Sequence, residues 1–278
     1  MSDGGVVWRI IRSEPADGAW NMAVDEALLE AALAGGPGSG PTLRFYTWQP
    51  PCLSLGYFQQ AARSANVEEL ARRGYTLVRR PTGGRGVLHA DELTYSIVAP
   101  VGLLAAYDGP SVTGTYLAIS RGLAEGLRLA GVPCEIASGR RHARTTAEAR
   151  LASAACFDAP SSYELTAGGR KIVGSAQTRR GGVLLQHGSI PMTMDHATAA
   201  AVMGLPEGSG AEMLARSVAT VKEFAPECTV EDLAAALMEG LRRHLMPQAR
   251  PGALTPEEVE RAESLRLKYL SDEWNFMR

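Results

Sequence analysis

Apolar residues recur along this chain at both helical and strand spacing, and the two alternate irregularly. Residues 8–12 read as a short strand, and residues 18–33 as a helix with Met22, Leu28 and Leu29 among its apolar positions. The run Gly-Gly-Pro-Gly-Ser-Gly-Pro at 35–41 is a flexible loop, because glycine and proline both discourage helix continuation. Residues 43–48 alternate apolar with other positions, residues 67–74 give a short helix, and 75–80 and 93–99 give strands. A helix over 111–131 places Tyr116, Ile119, Leu123 and Leu127 at core spacing. The stretch 138–155 is small, polar and rich in arginine (Arg140, Arg141, Arg144, Arg150), so it reads as a loop or a weak helix. From Ser162 the period becomes two. Residues 163–167, a Gly168-Gly169 turn, residues 171–179, a Gly181-Gly182 turn and residues 183–192 predict a three-strand meander. The remainder is helical: Val230, Leu233, Leu237, Leu241 and Leu245 share one face behind a Thr229 cap, and Thr255-Pro256-Glu257-Glu258 is a capping box with proline at the first helical position. There is no 20–50-residue repeat and no evident linker before residue 247. The mixed order predicts an α+β fold with antiparallel pairing.

Composition narrows the class without changing that picture. A chain of 278 residues has room for one large domain or two small ones. Its hydrophobic fraction of 45% and charged fraction of 21% are those of an ordinary globular protein. A formal net charge of −2 argues against a dedicated nucleic-acid binder, whose footprint is usually basic. Cys52, Cys134, Cys156 and Cys228 form no C-x-x-C pair, which fits neither a zinc site nor a disulfide scaffold and points to free thiols in a reducing compartment. The first residues lack the apolar stretch of a signal peptide, and the longest charge-free run, 45–62, contains Pro50, Pro51 and three glutamines, so it is no membrane span. The expectation is a soluble cytoplasmic protein. One imbalance stands out: of 28 basic residues only Lys171, Lys222 and Lys268 are lysines.

Two segments could carry chemistry. Arg79-Arg80-Pro81-Thr82-Gly83-Gly84-Arg85-Gly86-Val87-Leu88-His89 runs from a strand through a glycine-rich turn into a second apolar stretch. Glycines admit a ligand close to backbone N–H groups, and the arginines supply anion contacts. The segment is neither a Walker loop nor a G-x-G-x-x-G fingerprint, and a plain hairpin turn with solvated arginines and a structural His89 remains open. The second segment contains Cys156-Phe157-Asp158-Ala159-Pro160-Ser161-Ser162-Tyr163-Glu164-Leu165, followed by Gly169-Arg170-Lys171-Ile172-Val173-Gly174-Ser175-Ala176-Gln177. A free thiol is only a few per cent thiolate at neutral pH, and a nearby ammonium raises that fraction; a buried, inert cysteine is the alternative. Lys171 stands in a chain that otherwise prefers arginine, and a compact ammonium fits where a planar guanidinium does not.

On these residues the chain resembles the lipoate–protein ligase A and octanoyltransferase family, and within it the LipM-type branch. Asn21-Met22-Ala23-Val24-Asp25-Glu26-Ala27-Leu28 is similar to the family's first helix. Residues 79–89 with Glu92-Leu93-Thr94-Tyr95-Ser96 resemble its glycine-rich ligand loop and following strand. Lys171 to Gln177 with Gln186-His187-Gly188-Ser189-Ile190 resemble its lysine-bearing hairpin. The resemblance spans about residues 8–245. It implies a mixed sheet flanked by helices, the catalytic core of biotin– and lipoate–protein ligases and of class II aminoacyl-tRNA synthetases, with an acyl tunnel near the glycine loop. The expected division is a catalytic domain over 1–250 and a helical extension over 251–278 packed on it.

The resemblance also implies roles. Lys171 matches the active-site lysine, and Arg79, Thr82, Gly83, Gly84, Arg85, His89, Gly174, Ser175 and Ala176 become substrate-binding candidates. Cys156 points to the octanoyltransferase branch, where the cysteine carries the acyl group as a thioester; Arg85, where many ligases have glycine, fits the same branch. The expected reaction is transfer of an octanoyl group from octanoyl-acyl carrier protein to Cys156, whose pKa Lys171 lowers, and then to the lysine of a lipoyl domain, that of glycine cleavage H protein. Thioester to amide is downhill, so no ATP, metal or other cofactor is expected. Backbone N–H groups of Gly83–Gly84 or Gly174–Ser175, or the Lys171 ammonium, are alternatives for the oxyanion. The 140–150 arginines or Arg179-Arg180 could dock an acidic carrier, or be a solvated face. Two other functions stay open: an ATP-dependent lipoate–protein ligase, and a non-catalytic acyl-binding protein.

Overall fold

The computed structural model describes residues 6–35, 39–137 and 163–278, so Cys156 and the 138–155 stretch lie outside the described residues. Its strands are β1 (Trp8–Arg12), β2 (Thr42–Tyr46), β3 (Cys52–Leu55), β4 (Thr76–Arg79), β5 (Val87–His89), β6 (Glu92–Pro100), β7 (Cys134–Ile136), β8 (Leu165–Ala167), β9 (Arg170–Lys171), β10 (Gly174–Arg180), β11 (Val183–Pro191) and β12 (Ala249–Gly252). A six-stranded sheet runs β10-β11-β6-β2-β1-β12. It is mixed: β1 pairs parallel with β2 and β12, while β2–β6, β6–β11 and β10–β11 are antiparallel. Two three-stranded sheets, β4-β3-β5 and β7-β8-β9, stand beside it.

Ten α-helices and a short 3-10 helix at Val221–Glu223 complete the described residues: α1 (Gly18–Ala34), α2 (Ala61–Ser64), α3 (Val67–Arg72), α4 (Val101–Asp108), α5 (Val112–Leu129), α6 (His196–Val202), α7 (Ser209–Ser217), α8 (Val230–His244), α9 (Pro256–Leu270) and α10 (Asp272–Asn275). The caps follow from sequence. Asp17 accepts from the Trp20 amide at α1, and Thr229/Asp232 and Thr255/Glu258 form reciprocal capping boxes at α8 and α9.

The large sheet is covered on both faces, which is why β6 and β11 are buried along nearly their whole length. Side chains alternate across a strand. Leu93, Tyr95, Ile97 and Ala99 of β6 therefore join Leu123 and Leu127 of α5 and Leu237 and Leu241 of α8 in one core. On the opposite face Val98, Val183 and Leu185 meet Met22, Val24 and Leu28 of α1 and Ala262, Leu265 and Tyr269 of α9. A third core, under β3 and β5, is closed by α6 and α7. Because α1 lies between the sheet and α9, it buries Asn21, Asp25 and Glu26 along with its apolar residues.

The meander expected over 163–192 is corrected in its middle. Gly168-Gly169 turns β8 into β9, but the chain then leaves that sheet and re-enters the six-stranded one at Gly174. Ile172 and Val173 are both buried, so the alternation a single strand requires fails there. Lys171 consequently sits on the small sheet and Gly174 on the large one. Among the described residues no helix is long and apolar enough to cross a membrane.

Candidate functional site

A small cleft opens on the α1 face of the large sheet. Strand register lays its floor. Tyr46 lies opposite Thr94, Thr94 opposite Ser189, Ser189 opposite Gly174, and His187 opposite Ala176; residues paired in this way share a face. Met22, Trp48, Ser54, Arg80, Val87, His89 and Gly188 complete the lining. Gly174 and Ala176 keep the floor low, and Gly188 packs its backbone tightly on the far face of the sheet. A Cβ on Gly188 would come within 2.6 Å of Ser175 Oγ and of the Tyr95 ring.

Two histidines face this space, each held by a buried carboxylate. His89 has its Nδ1 3.0 Å from Glu92 Oε2 and its Nε2 2.8 Å from Ser54 Oγ, and its ring stacks on Trp48 at 3.9 Å. Glu92 also accepts from the hydroxyls of Thr94 and Ser189. Burial alone would raise the Glu92 carboxyl, but the charge and hydrogen bond of His89 and these hydroxyls outweigh it and hold it below the usual range. His187 has its Nδ1 2.9 Å from Asp25 Oδ2 and its Nε2 2.6 Å from Thr82 Oγ1. Burial pushes the His187 imidazole below its ordinary value, against the pull of Asp25. The neutral ring then donates from Nδ1 to Asp25 and accepts at Nε2 from the Thr82 hydroxyl. Asp25 is bound at 3.0 Å by Arg44 and accepts from Tyr46 Oη at 2.9 Å. Burial raises the Asp25 carboxyl, and His187 and Arg44 together overcome it and leave it lowered.

The glycine loop forms the rim, and its two leading arginines diverge. Arg80 turns inward. Its guanidinium donates to the carbonyls of Gly83 (2.8 Å), Arg85 (2.7 Å) and Ser54 (3.1 Å) and to Ser54 Oγ (3.2 Å). Arg79 turns away from the cavity and donates to the carbonyls of Gly56, Tyr57, Gln59, Trp274 and Asn275. Gly84 has φ +89°, which favours glycine, and its carbonyl lies so close to Gly56 that a Cβ there would collide with it.

The sequence-derived set is thus only partly gathered. His89, Gly174 and Ala176 line the cavity. Thr82 orients His187, while Gly83 and Arg85 offer carbonyls to Arg80. Arg79 faces elsewhere, and Ser175 points to the opposite face of the sheet, where its hydroxyl is 2.8 Å from Tyr95 Oη. Lys171 is buried with its Nζ 2.9 Å from Glu164 Oε1. It is not part of the cavity lining, which begins three residues further on at Gly174. Sequence reasoning missed Ser54, Gly56, Glu92 and Asp25 as working parts. The signal for Asp25 and Glu92 lay in the segments already quoted, as acidic residues at positions a helix and a strand both bury.

The thiols at Cys52 and Cys134 are pushed up by burial to about 12, and that at Cys228 is raised for the same reason, so none of the three is primed as a nucleophile. Among the described residues no group of three or more His, Cys, Asp or Glu is arranged to hold a metal ion.

Comparison with known proteins agrees with this arrangement. The sequence model of the lipoyl protein ligase A/B catalytic domain matches residues 17–242. Octanoyltransferase LipM of Kyrpidia tusciae is 44% identical over 276 residues, covering 97% of this chain and 98% of the relative. Octanoyltransferase LipM of Moorella thermoacetica is 42% identical, with 96% and 97% covered. Among solved structures, lipoate-protein ligase A bound with ATP superposes with a TM-score of 0.77 at 25% identity, covering 97% of this chain and 98% of that one. The bipartite lipoate protein ligase of Thermoplasma acidophilum gives 0.76 at 23% identity, with 98% and 96% covered. The α+β architecture, a mixed sheet between helices, is therefore that of the lipoate–protein ligases, and the chain belongs to the lipoyl protein ligase A/B catalytic-domain family.

Proposed function

We propose that the protein is an octanoyltransferase of lipoate biosynthesis that works by two-step acyl transfer. The Cys156 thiolate attacks the octanoyl thioester of acyl carrier protein, and the carrier's thiolate leaves. The acyl group rests on Cys156 as a thioester. The neutral ε-amine of a lipoyl-domain lysine, that of glycine cleavage H protein, then attacks the same carbonyl, loses one proton and expels the Cys156 thiolate, which takes up a proton as the thiol, giving an amide. The first step exchanges one thioester for another and the second runs downhill, so neither needs ATP.

The observation that carries this reading is the position of Lys171. Its ammonium is buried, held at 2.9 Å by Glu164, and joined through two buried residues to the strand that forms the cavity floor. A cation fixed there favours a thiolate brought beside it, and it stabilises the oxyanion of either tetrahedral intermediate. Gly174 and Ala176 keep side-chain bulk off the floor beside Met22, Trp48 and Val87, the apolar surface an aliphatic chain would lie against. Support also comes from relatives named as octanoyltransferases over nearly the full chain.

The test is to mix the protein with octanoyl-acyl carrier protein, without ATP, and weigh it intact. An octanoyl adduct that Cys156→Ser abolishes is expected. If no adduct forms, and modification of a lipoyl domain appears only with ATP and free lipoate, the reading fails and ligation replaces it.

A further inference from the structure

One heavily bonded side chain beside the cavity touches none of it. Arg79 donates from Nη1 to the carbonyls of Gly56 (2.9 Å), Tyr57 (3.2 Å) and Gln59 (2.7 Å), from Nε to Trp274 O (3.1 Å) and from Nη2 to Asn275 O (2.8 Å). Its backbone is engaged as well: the Arg79 amide donates to Asn275 Oδ1 at 2.7 Å, and Trp274 Nε1 donates to Arg79 O at 2.8 Å. Asn275 in turn donates to Tyr269 O at 2.9 Å, and the Ala61 amide donates to Arg278 O at 3.1 Å. Arg278 lies over the rings of Tyr57 and Phe58, at 5.3 and 5.4 Å. Residues 272–278 are therefore fastened along the back of the segment that holds the glycine loop.

That segment has no slack to absorb a change. Gly56, whose carbonyl Arg79 grips, abuts the backbone of Gly83 and Gly84 with no room for a methyl group between them. Thr82 O accepts from the Tyr57 amide at 2.8 Å, and Thr82 Oγ1 is the partner of His187 on the cavity floor. Arg80, the next residue, fastens Gly83 and Arg85 from inside. Freeing Arg79 would release five carbonyls at once, two in residues 272–278 and three behind the rim. A buried guanidinium left without acceptors must then move or draw in water.

We propose that residues 272–278, acting through Arg79, are a positioning element of the acyl site: they fix the glycine loop against the cavity, and Arg79 serves as their anchor and not as a ligand contact. This rests on the acyl-transfer reading for its activity readout only.

The experiment compares the intact chain with one truncated after Ser271 and with Asn275→Ala, following octanoyl transfer and amide hydrogen exchange together. Truncation is expected to lower kcat at least about tenfold, since a displacement of about 1 Å can cost far more. It should also speed exchange of the amides over 80–88 by about tenfold, while those over 94–98 in β6 keep their protection. Asn275→Ala should shift both in the same direction by less. A synthetic peptide of residues 272–278, added to the truncated chain, should restore both. The proposal is overturned if loop exchange in the truncated chain and in Asn275→Ala stays within about two-fold of the intact chain, or if β6 exchange rises as much as the loop's, which would make the segment a general stabiliser. An intact chain that transfers no octanoyl group sinks the functional reading, and the exchange arm still decides this one.

Discussion

Arg79 and Arg80 are neighbours with the same side chain and opposite duties. One is spent on carbonyls behind the glycine loop and the other staples the loop at the cavity. Successive residues of an extended chain point to opposite sides, so a pair of arginines there had to divide. Which one faced inward depends on β3 and β11, which the local sequence does not show. The same limit hid Ser54 and Glu92, whose partners lie on other strands, whereas the dense motifs around His89 and Gly174 were legible because glycines and a histidine cluster within a few positions. Ser175 was assigned to the site with its neighbours, and period-two alternation sends it to the other face. Lys171 carries the sharpest single-residue expectation. Its site is buried and holds a compact head group 2.9 Å from Glu164, where a planar guanidinium has a different shape and reach. Lys171→Arg should slow formation of the octanoyl-enzyme by about 10²–10³-fold, the usual cost of losing one oxyanion partner, with an unchanged circular dichroism spectrum. Rapid-quench mass spectrometry reads it, and a rate near that of the parent would remove Lys171 from the chemistry.

At the scale of elements, the starts of α8 and α9 were read from their caps, because Thr229 and Thr255 satisfy orphan amides that any helix start must satisfy. The strands β3, β5, β7 and β12 are four residues or fewer, too short to establish a period, and went unread. The break between β9 and β10 was invisible for a related reason: Ile172-Val173 looks like strand by composition, and only the pairing shows that the chain changes sheet. Close packing of α5 on α8 gives a further expectation. A Cβ on Gly240 would collide with the backbone of Gly122 and Gly126, and one on Gly126 would lie 2.5 Å from Leu237 Cα. Alanine for glycine inside a helix normally stabilises by about 0.5–1 kcal/mol. At Gly240 the overpacking cost of about 1–3 kcal/mol should win, so Gly240→Ala lowers the urea midpoint. Activity per folded molecule should hold, because the crossing lies on the sheet face opposite the cavity.

Across the whole molecule, buried ionisable groups make stability fall with acid in two stages. His187 is lowered by burial, so between its unfolded pKa near 6.5 and its lower folded value the unfolded chain binds the extra proton and stability declines as pH drops. Asp25 and Glu92 are also lowered in the fold, so their contribution is complete above about pH 4 and is lost as pH falls through their folded values. Urea midpoints measured from pH 8 to pH 3 should show both declines, and His187→Asn should remove the first and weaken the second, because His187 also helps hold Asp25 down. A single decline near pH 4 in the parent chain would contradict the assignment of His187. The placement of the three amines has a consequence of its own. Lys171 is buried against Glu164, and Lys268 is clamped 2.6 Å from Glu26 with its ammonium 3.9 Å from the Trp274 ring centroid. Only Lys222 stands exposed. Arginine stays protonated and does not compete for acyl groups. A chain that carries an acyl thioester, as proposed above, would offer a single exposed lysine amine of its own on which to misplace it, leaving its surface largely blind to the cargo it hands on.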